Sequence, residues 1–512
     1  MEFSELIQTT IADIQDLYLQ DSIPWILGCS WGKDSTTVVQ LVWQAVAQLP
    51  PEKHKPVHII TTDTRIEQPQ LQVHVARQMQ QLETGVKKHN LPFSCHLLMP
   101  EIKNSFWVKI IGHGYAKPAN HGKYRWCTSR LKIDPAEKFI KEHISQYGES
   151  YTVLGVRTDE SITRARSIAK HSENALRPNL NLNSRLPNNY IYTPITAWST
   201  QDIWMYLLQV QNPWGANNQE LFQLYRGATA DSECPLVVET GTQSCGKSRF
   251  GCWSCTVARN ASMEAMIDNS DRHEWMQPLL DFRNELAEPN DRHRRDYRYA
   301  FKHKVYELNV NSNTNVLPQP GRYTKQWREL WLIKLLEAEK EARSLAPVEY
   351  RDLELISIEE LSEIRRVWLE EFHYFDDRLP EIYREATGKT FADPRKGVKF
   401  QNYISSDAYA TLEEICESSE DLALVTSLLA TEKKFQASCR RQGIYQELEK
   451  CLRQHGYSKE EKIISAYEES LYKQAVEAGI AYEPLKPSAT TVMQFSHLCS
   501  PLNLPAKLDF QN

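Results

Sequence analysis

The sequence contains no run of 18 apolar residues, so it has no segment that could cross a membrane as a helix. It also lacks an excess of positive charge, because 60 Lys and Arg stand against 66 Asp and Glu, giving a net charge of -6. No global basic field can therefore attract nucleic acid, and such a partner must meet a local patch or bind through another protein. Internal repeats and long low-complexity runs are absent as well.

The composition is that of a soluble globular protein, with 41% hydrophobic and 25% charged residues in a chain of 512. This length predicts two or three domains. The first twenty residues show the pattern of an amphipathic helix and not of a signal peptide, which predicts a cytoplasmic protein. In such a protein, eleven cysteines favour metal or sulfur chemistry over a disulfide framework.

Short apolar segments alternate with helical patterns over the first 200 residues. This alternation predicts an α/β fold, with a parallel sheet covered by helices on both faces. Ser199 or Thr200 is expected to cap a helix, and from residue 321 the pattern is helical throughout. The tail from Pro484 is expected to be partly disordered. The predicted strands are Trp25–Cys29, Val57–Asp63, Phe93–Met99, Tyr151–Val156 and Ile191–Ile195.

The first predicted strand runs directly into SWGKDS, residues 30–35. This is not a Walker A loop, because Gly28 and Gly32 enclose three residues and not four, and Asp34 follows Lys33. A strand that delivers the chain to a helix N-terminus nevertheless favours phosphate binding. The alternative is an ordinary glycine turn in which Asp34 or Ser35 caps the helix.

Several side chains of this segment suit a bound phosphate. Lys33 adds positive charge, Ser30 and Ser35 add hydroxyl donors, and Asp34 could hold Mg²⁺. The next predicted strand ends at Asp63, in the crevice where open parallel sheets bind nucleotides. Asp63 therefore favours the phosphate-binding interpretation.

SWGKDS resembles the SGGKDS loop of ATP pyrophosphatases, and residues 20–210 resemble the phosphoadenylylsulfate (PAPS) reductase family. This resemblance implies an adenine-nucleotide-hydrolase-like (PP-loop) sheet of five strands that binds ATP or an adenylyl sulfate. The matching segments are TTDTRIEQP (61–69), KYRWCTSRLK (123–132), GVRTDESITRAR (155–166) and PITAWSTQDIW (194–204).

Trp31 departs from the family pattern, which has glycine at this position. Because glycine lets the backbone approach phosphate closely, the Trp31 side chain must point away from the ligand or reshape its pocket. In GVRTDESITRAR, Arg157, Arg164 and Arg166 offer forked donors for phosphate oxygens, with Glu160 to orient one of them. The alternative for this segment is a solvated charged loop.

Four cysteines lie in a Gly-, Ser- and Thr-rich stretch, separated by ten, six and two residues: Cys234, Cys245, Cys252 and Cys255. The final Cys-x-x-Cys is a good metal half-site. Structural zinc more often uses two such pairs, whereas an iron–sulfur cluster accepts uneven spacing. Spacing alone leaves zinc and iron–sulfur open.

SRFGCWSCTVAR (248–259) and GRYTKQWRELW (321–331) resemble the DndC family of DNA phosphorothioation sulfurtransferases. With the first half included, the resemblance spans residues 20–335. It implies a [4Fe–4S] cluster on the four cysteines, with a cysteine desulfurase and other Dnd-system proteins as partners. Together with the pattern along the chain, it predicts a PAPS reductase-like nucleotide-binding domain (1–225), an iron–sulfur loop with a basic segment (226–320) and a helical region (321–512).

Two further cysteines are candidates for carrying sulfur. Cys127 has Arg125, Arg130 and Lys132 nearby, which are expected to lower its pKa and make it a thiolate or persulfide carrier. Cys29 could reach the reacting end of the nucleotide, although a small buried side chain is the simpler interpretation.

The segment RHRRDYRYAFKHKVY (292–306) mixes basic and aromatic side chains, which can track phosphates and stack on bases. It is the best local candidate for DNA binding, and the alternative is a helix with one solvated and one packed face.

These observations favour an ATP-dependent sulfurtransferase that adenylates a DNA phosphate and replaces a non-bridging oxygen with sulfur. Three alternatives stay open. A PAPS-type reductase is disfavoured because SHLCSPLNLP (496–505) does not match the C-terminal cysteine motif of those enzymes. A tRNA thiolation enzyme would share the loop and often a cluster. A nucleotide-sensing zinc scaffold would be non-catalytic, with Trp31 as its best support.

Overall fold

The computed structural model describes two compact units. The first comprises residues 1–106, 118–284 and 341–353, and the second comprises residues 107–117, 285–340 and 354–512. The residues described are 2–119, 125–160, 179–228, 250–257, 261–296, 305–310, 313–318, 321–395, 406–436 and 441–455.

A six-stranded sheet with strand order β3-β2-β1-β4-β6-β5 forms the centre of the first unit. Its strands are β1 (Trp25–Gly28), β2 (Val57–Thr62), β3 (Phe93–Leu98), β4 (Ser150–Leu154), β5 (Leu180–Leu182) and β6 (Asn189–Tyr192). All pairings are parallel except that of β5 with β6. The predicted α/β fold and its five strands are confirmed, with small shifts at their ends. The sixth strand, β5, was not predicted.

Helices cover both faces of this sheet, as predicted. One face packs on a large core to which α1, α2 and α5 contribute Ile14, Leu41 and Ile203. The other face packs on a small core, in which Ile140 of α4 meets Ile26 and Ile60. The helices of this unit are α1 (Phe3–Tyr18), α2 (Lys33–Ala47), α3 (Pro69–His89), α4 (Asp134–Tyr147), α5 (Thr200–Gln209), α6 (Asn218–Gly227), α7 (Ala261–Asn269) and α8 (Gln277–Ala287, to residue 284).

The start of α5 shows how local sequence sets a helix boundary. Ser199 accepts a hydrogen bond from the Asp202 amide, and Asp202 accepts one from the Ser199 amide, which completes a capping box. The predicted cap is therefore confirmed at Ser199. Because α5 follows β6, this cap fixes the chain beside the carboxyl ends of the central strands.

Over its described residues, the second unit consists of helices and an antiparallel hairpin of β7 (Val305–Val310) and β8 (Asn313–Pro318). The Trp107 indole donates to the Leu355 carbonyl, and the Trp368 indole donates to the Ile111 carbonyl. The predicted helical C-terminal region is confirmed over the described residues after 320. Its helices are α9 (Lys325–Leu345, to residue 340), α10 (Ile358–Arg366), α11 (Leu379–Thr387), α12 (Ser406–Ile415), α13 (Ser419–Gln436) and α14 (Ile444–His455).

Single helical turns complete the described secondary structure, and the expected disorder after Pro484 lies outside the described residues. None of the described helices has the length and apolar composition needed to span a membrane. The turns are Pro51–Lys53, Ile102–Asn104, Val108–Gly112, Thr128–Ile133, Thr158–Glu160, Asp271–Met276, Arg292–Arg294, Val348–Tyr350 and Val367–Glu371.

Candidate functional site

The segment between β1 and α2 lies on the wall of a large cavity in the first unit. Gly32 is the N-cap of α2 and supplies no side-chain cap, so the first amides of the helix depend on other acceptors. Ser35 accepts a hydrogen bond from the Ser30 amide at 3.3 Å, which folds the segment back on itself. The structure therefore presents the amides, the hydroxyls and Lys33 at one end of the cavity.

Trp31 adopts a left-handed backbone conformation, with a φ of 56°. Its indole is fully buried and donates to Thr61 Oγ1 at 2.9 Å. Its carbonyl oxygen lies 3.3 Å from His74 Nε2, and its ring packs edge-to-face on Trp214. The side chain is thus turned into the core while the main chain takes the conformation that glycine usually supplies.

Asp34 lies between two cationic side chains. Its Oδ2 is 3.0 Å from Lys33 Nζ, and its Oδ1 accepts from Arg157 Nε at 2.7 Å. Arg157 is 1% exposed and also donates to the Trp198 carbonyl and the Thr200 hydroxyl. The sequence predicted that Arg157 binds phosphate oxygens. In the structure, its guanidinium instead binds the Asp34 carboxylate.

Gly155, at the end of β4, makes this arrangement possible. A Cβ at position 155 would lie 2.9 Å from the Asp34 carbonyl oxygen and 3.0 Å from the Ser35 amide nitrogen. Only a residue without a side chain can approach the first turn of α2 so closely. The closeness brings Arg157, two residues further on, within reach of Asp34.

Asp63 follows β2 and lies on the wall of the same cavity. Its amide donates to the Leu98 carbonyl at 2.8 Å, and its Oδ1 accepts from the Arg65 amide at 2.7 Å. Burial raises the pKa of this carboxyl, opposed by the Arg65 amide. A divalent cation would favour its ionised form.

The cavity has a volume of about 1770 Å³, larger than a typical small-molecule site. Polar groups of the β1–α2 segment and Asp63 line one part, and apolar side chains of α4 such as Ala136 and Ile140 line another. The cavity can therefore bind a ligand with an anionic and an apolar portion. Lining residues that the sequence did not predict to be part of the site include Glu67, Asp159, Thr200, Tyr225 and Phe250.

Cys252 and Cys255 lie on a tight turn, in which the Cys255 amide donates to the Cys252 carbonyl at 3.1 Å. This turn is attached to the chain that follows β2. Cys252 forms an isolated antiparallel bridge with Glu67, and the Trp253 amide donates to the Ile66 carbonyl at 3.0 Å. Burial raises the pKa of the Cys252 thiol.

Cys127 differs from the expectation of an activated thiolate. Burial raises its pKa, and the nearby Cys255 raises it further, opposed by the Thr128 hydroxyl. The prediction of a lowered pKa was wrong, because desolvation outweighs the basic residues of the same segment. The chain also brings Cys127 close to the Cys-x-x-Cys pair, although the two are far apart in sequence.

Lys132 connects this cysteine cluster (Cys127, Cys252 and Cys255) with the cavity. Its Nζ lies 3.1 Å from Glu67 Oε1, and both side chains line the cavity. Burial opposes the charge of Lys132, but Glu67 and Cys252 together raise its pKa. A cation is thus held beside the thiols.

The cysteine cluster supplies soft sulfur ligands that suit an iron–sulfur cluster. Two of the four predicted ligands, Cys234 and Cys245, lie outside the described residues. Over the residues that are described, no three His, Cys, Asp or Glu side chains converge in metal-binding geometry. The described part of the site therefore contributes the Cys252–Cys255 half-site with Cys127 nearby.

The remaining predicted residues of this unit divide in two. Arg164 and Arg166 lie outside the described residues, and Glu160 ends the turn Thr158–Glu160 with no description of its side chain. Cys29 is buried, and burial raises its pKa to about 12. The interpretation of Cys29 as a small buried residue fits this environment better than a role in sulfur transfer.

In the second unit, the basic segment differs from the predicted DNA-binding surface where it is described. Arg294 is buried, with its guanidinium 4.6 Å from the Trp327 ring. Arg295 is paired with Asp291 at 2.9 Å and lies 4.7 Å from the Tyr323 ring. These two arginines make packing and ion-pair contacts inside the second unit and do not form a surface for DNA. Residues 297–304 of the segment lie outside the described part.

Comparison with known proteins gives a family match over the part of the chain that contains this site. Residues 24–258 match the sequence model of the phosphoadenosine phosphosulfate reductase domain. Two uncharacterized proteins of Methanocaldococcus jannaschii are each 25% identical, over 207 and 176 residues. These matches cover 40% and 34% of this chain and 36% and 32% of the relatives. The chain thus spans about a third of the length of the curated relatives it matches.

Two solved structures share a low similarity with the chain, each at 12% identity. FMN adenylyltransferase of Candida glabrata, in complex with FMN and an ATP analogue, has a TM-score of 0.27 and covers 48% of this chain and 71% of its own. The U34-tRNA thiolase NcsA of Methanococcus maripaludis, with its [4Fe–4S] cluster, has a TM-score of 0.25 and covers 56% and 81%.

Proposed function

Because residues 24–258 form a domain of the phosphoadenosine phosphosulfate reductase family, we propose that this chain is an ATP-dependent sulfurtransferase acting on the DNA backbone. One observation carries the proposal. Glu67 and Lys132 line the same cavity as residues Ser30 and Gly32 to Ser35. Glu67 also pairs with Cys252, and Lys132 lies near enough to Cys252 to interact with it electrostatically. A nucleotide in the cavity and a sulfur on the cysteine cluster would therefore lie beside each other.

ATP binds with its phosphates at the N-terminus of α2, where the helix dipole and Lys33 favour negative charge. Asp34 and Asp63 hold the Mg²⁺ of the ATP complex, since carboxylates are the ligands it prefers. The apolar side chains of α4 then contact the nucleoside. Arg157 acts indirectly, through Asp34, which it orients.

The first chemical step is adenylation of DNA. A non-bridging oxygen of a DNA phosphate attacks the α-phosphorus of ATP. The bond from the α-phosphorus to the oxygen that it shares with the β-phosphorus breaks, and pyrophosphate leaves. Lys33 stabilises the charge that develops on the leaving group. The attacking DNA oxygen becomes part of a good leaving group, AMP.

Sulfur then replaces this oxygen. A sulfur nucleophile at the oxidation level of sulfide attacks the activated DNA phosphorus, the bond to the adenylated oxygen breaks, and AMP leaves. The sulfur comes from a partner cysteine desulfurase as a persulfide, and a thiol reductant cleaves this persulfide to sulfide with formation of a disulfide. A [4Fe–4S] cluster on Cys252, Cys255 and further cysteines would supply iron-bound sulfide or electrons near the cavity. Lys132 keeps positive charge beside this sulfur.

DNA reaches the site through a local patch and through other Dnd-system proteins, because the net charge of the chain is negative. Arg294 and Arg295 are excluded from such a patch by their burial. Residues 297–304 keep the basic and aromatic composition that suits backbone and base contacts.

The test is chemical analysis of nucleic acids from cells that carry the chain with its partner proteins. We expect phosphorothioate dinucleotides in the DNA by mass spectrometry, and their loss in cells carrying Asp34→Asn. Thiolated tRNA without sulfur in DNA would show that the substrate is tRNA and not DNA. Sulfite formation from PAPS by the purified protein would instead identify a reductase.

A second experiment tests ATP chemistry alone. The purified protein, with ATP, Mg²⁺ and DNA, should release pyrophosphate and leave AMP on the DNA, and added sulfide should then release the AMP. Release of ADP and inorganic phosphate would contradict cleavage between the α and β phosphates. Absence of any nucleotide turnover, combined with one zinc per chain, would favour the non-catalytic scaffold.

A further inference from the structure

Tyr225, near the end of α6, contacts the point where the segment after β1 enters α2, at Gly32 and Lys33. Its hydroxyl accepts a hydrogen bond from the Lys33 amide at 3.4 Å, and its ring centre lies 5.5 Å from Lys33 Nζ. A Cβ at Gly32 would come within 3.0 Å of this hydroxyl. One side chain thus contacts the first amide of α2, the ammonium group of Lys33 and the N-cap residue.

The ring of Tyr225 is fixed by its neighbours. It packs edge-to-face on Trp204 at 5.2 Å and on Phe250 at 4.9 Å between ring centres, and it is 6% exposed. Aromatic pairs in this geometry add stability beyond the area they bury. The hydroxyl is therefore held at one place on the cavity wall, which both Tyr225 and Phe250 line.

A phenolic hydroxyl differs from the backbone amides and the ammonium group at this helix N-terminus, because it accepts and donates at the same time. Its oxygen accepts the Lys33 amide hydrogen, and a hydroxyl that accepts in this way can also donate its own hydrogen. A phosphate oxygen arriving at the α2 N-terminus would be a charged acceptor within reach of that hydrogen, and such bonds are stronger than neutral ones.

We propose that Tyr225 is a phosphate-binding residue of this site, in which its hydroxyl relays the Lys33 amide to an oxygen of the nucleotide's β,γ-phosphates. The inference rests on the proposed binding of ATP and adds a residue from outside the matching loop motif. Phe250 is the positioning residue of this contact, because it supports the Tyr225 ring and does not itself offer a polar atom.

The test is Tyr225→Phe, which removes the hydroxyl and keeps the ring contacts with Trp204 and Phe250. The dissociation constant of ATP, measured by calorimetry on the full chain, should rise about tenfold, the usual loss for a hydrogen bond to a charged group. Pyrophosphate should lose affinity by the same factor. Adenosine, which has no phosphate, should bind as it does to the unaltered protein.

Tyr206→Phe is the matched control. The Tyr206 hydroxyl donates to Gln44 Oε1 at 3.0 Å in the same unit, and Tyr206 does not line the cavity. This variant should bind ATP, pyrophosphate and adenosine with unchanged affinity. Unchanged thermal melting of Tyr225→Phe would exclude a folding defect as the cause of weaker binding.

Phe250→Leu separates positioning from direct contact. Alone it should weaken ATP binding, and in the Tyr225→Phe background it should add little, because its effect passes through the hydroxyl. Equal ATP affinity of Tyr225→Phe and the unaltered protein would overturn the inference, as would an equal loss for adenosine. Failure of the unaltered protein to bind ATP would instead contradict the proposed function.

Discussion

Arg157 Nε donates a hydrogen bond to Asp34 Oδ1 at 2.7 Å, although 123 positions separate the two residues. The bond joins the loop after β4 to the first turn of α2. Because the Arg157 side chain is almost fully buried, it holds Asp34 in its orientation without a bound ligand.

We predict that Asp34→Asn lowers pyrophosphate release by about a hundredfold, a loss typical of removing one group that organises charge in a reaction. The neutral amide no longer pairs with Lys33 and Arg157 or holds Mg²⁺. Asp21→Asn is the control, because Asp21 also pairs with a lysine, Lys55, at 2.8 Å, but does not line the cavity. Full activity of Asp34→Asn would remove Asp34 from the site.

Trp31 allows a comparison of backbone and side-chain effects on stability. Trp31→Ala should lower the free energy of unfolding by about 3–5 kcal/mol, because a buried indole is lost. Trp31→Gly should be more stable than Trp31→Ala by about 1 kcal/mol, since glycine adopts the left-handed conformation without strain. Urea unfolding measures both.

The control for this comparison is Trp198, whose buried indole donates to Thr10 Oγ1 at 3.2 Å. Trp198 is absent from the residues with positive φ. At this position, the glycine variant should be less stable than the alanine variant, because glycine loses more conformational entropy on folding. The same order at both positions would show that the Trp31 backbone is unstrained.

The protein purified without oxygen should be brown and contain iron. Cys252→Ser and Cys255→Ser should each lose the iron, and Cys127→Ser should lower the iron content as well, because Cys127 lies near Cys255. Cys416→Ser and Cys451→Ser, in the second unit, should retain it. Zinc in place of iron would contradict the cluster, and full iron in Cys127→Ser would limit Cys127 to another role.

The stability of the first unit should depend on three histidines at the α4 face of the sheet. His58 Nδ1 lies 3.1 Å from His96 Nε2, and the His58 and His143 rings are 4.6 Å apart. Burial, with repulsion from His143 and His96, lowers the pKa of His58 from 6.5 to about 4. Between these values the unfolded chain binds more protons, so stability falls as the pH decreases from about 6.5 to 4.

We therefore predict that His58→Gln reduces this loss of stability, as measured by thermal melting between pH 7 and pH 4. His89→Gln, at an exposed position on α3, should leave the pH dependence unchanged. An identical pH profile for His58→Gln and the unaltered protein would show that these imidazoles do not set acid stability.

The strands could be predicted because each is a short apolar run that the sheet buries, as in β1 and β2. β5 was missed because Leu180–Leu182 has only three residues and too little pattern. The role of Arg157 and the contact of Tyr225 could not be predicted, since each depends on a partner far away in sequence. The pKa of Cys127 was misjudged because burial, unlike neighbouring charge, is not visible in a sequence.

Glu67 pairs with Cys252, so the length of the short stretch from Asp63 to Glu67 sets the distance between the cavity wall and the Cys252–Cys255 turn. Asp63 is at one end of it, on the cavity wall, and near the other end the Trp253 amide donates to the Ile66 carbonyl at 3.0 Å. One inserted residue in this stretch would move the Cys252–Cys255 turn relative to Asp63 by up to about 3.5 Å, enough to disrupt the proposed transfer of sulfur. Natural variants of this protein should therefore keep the length of this stretch constant even where its side chains change.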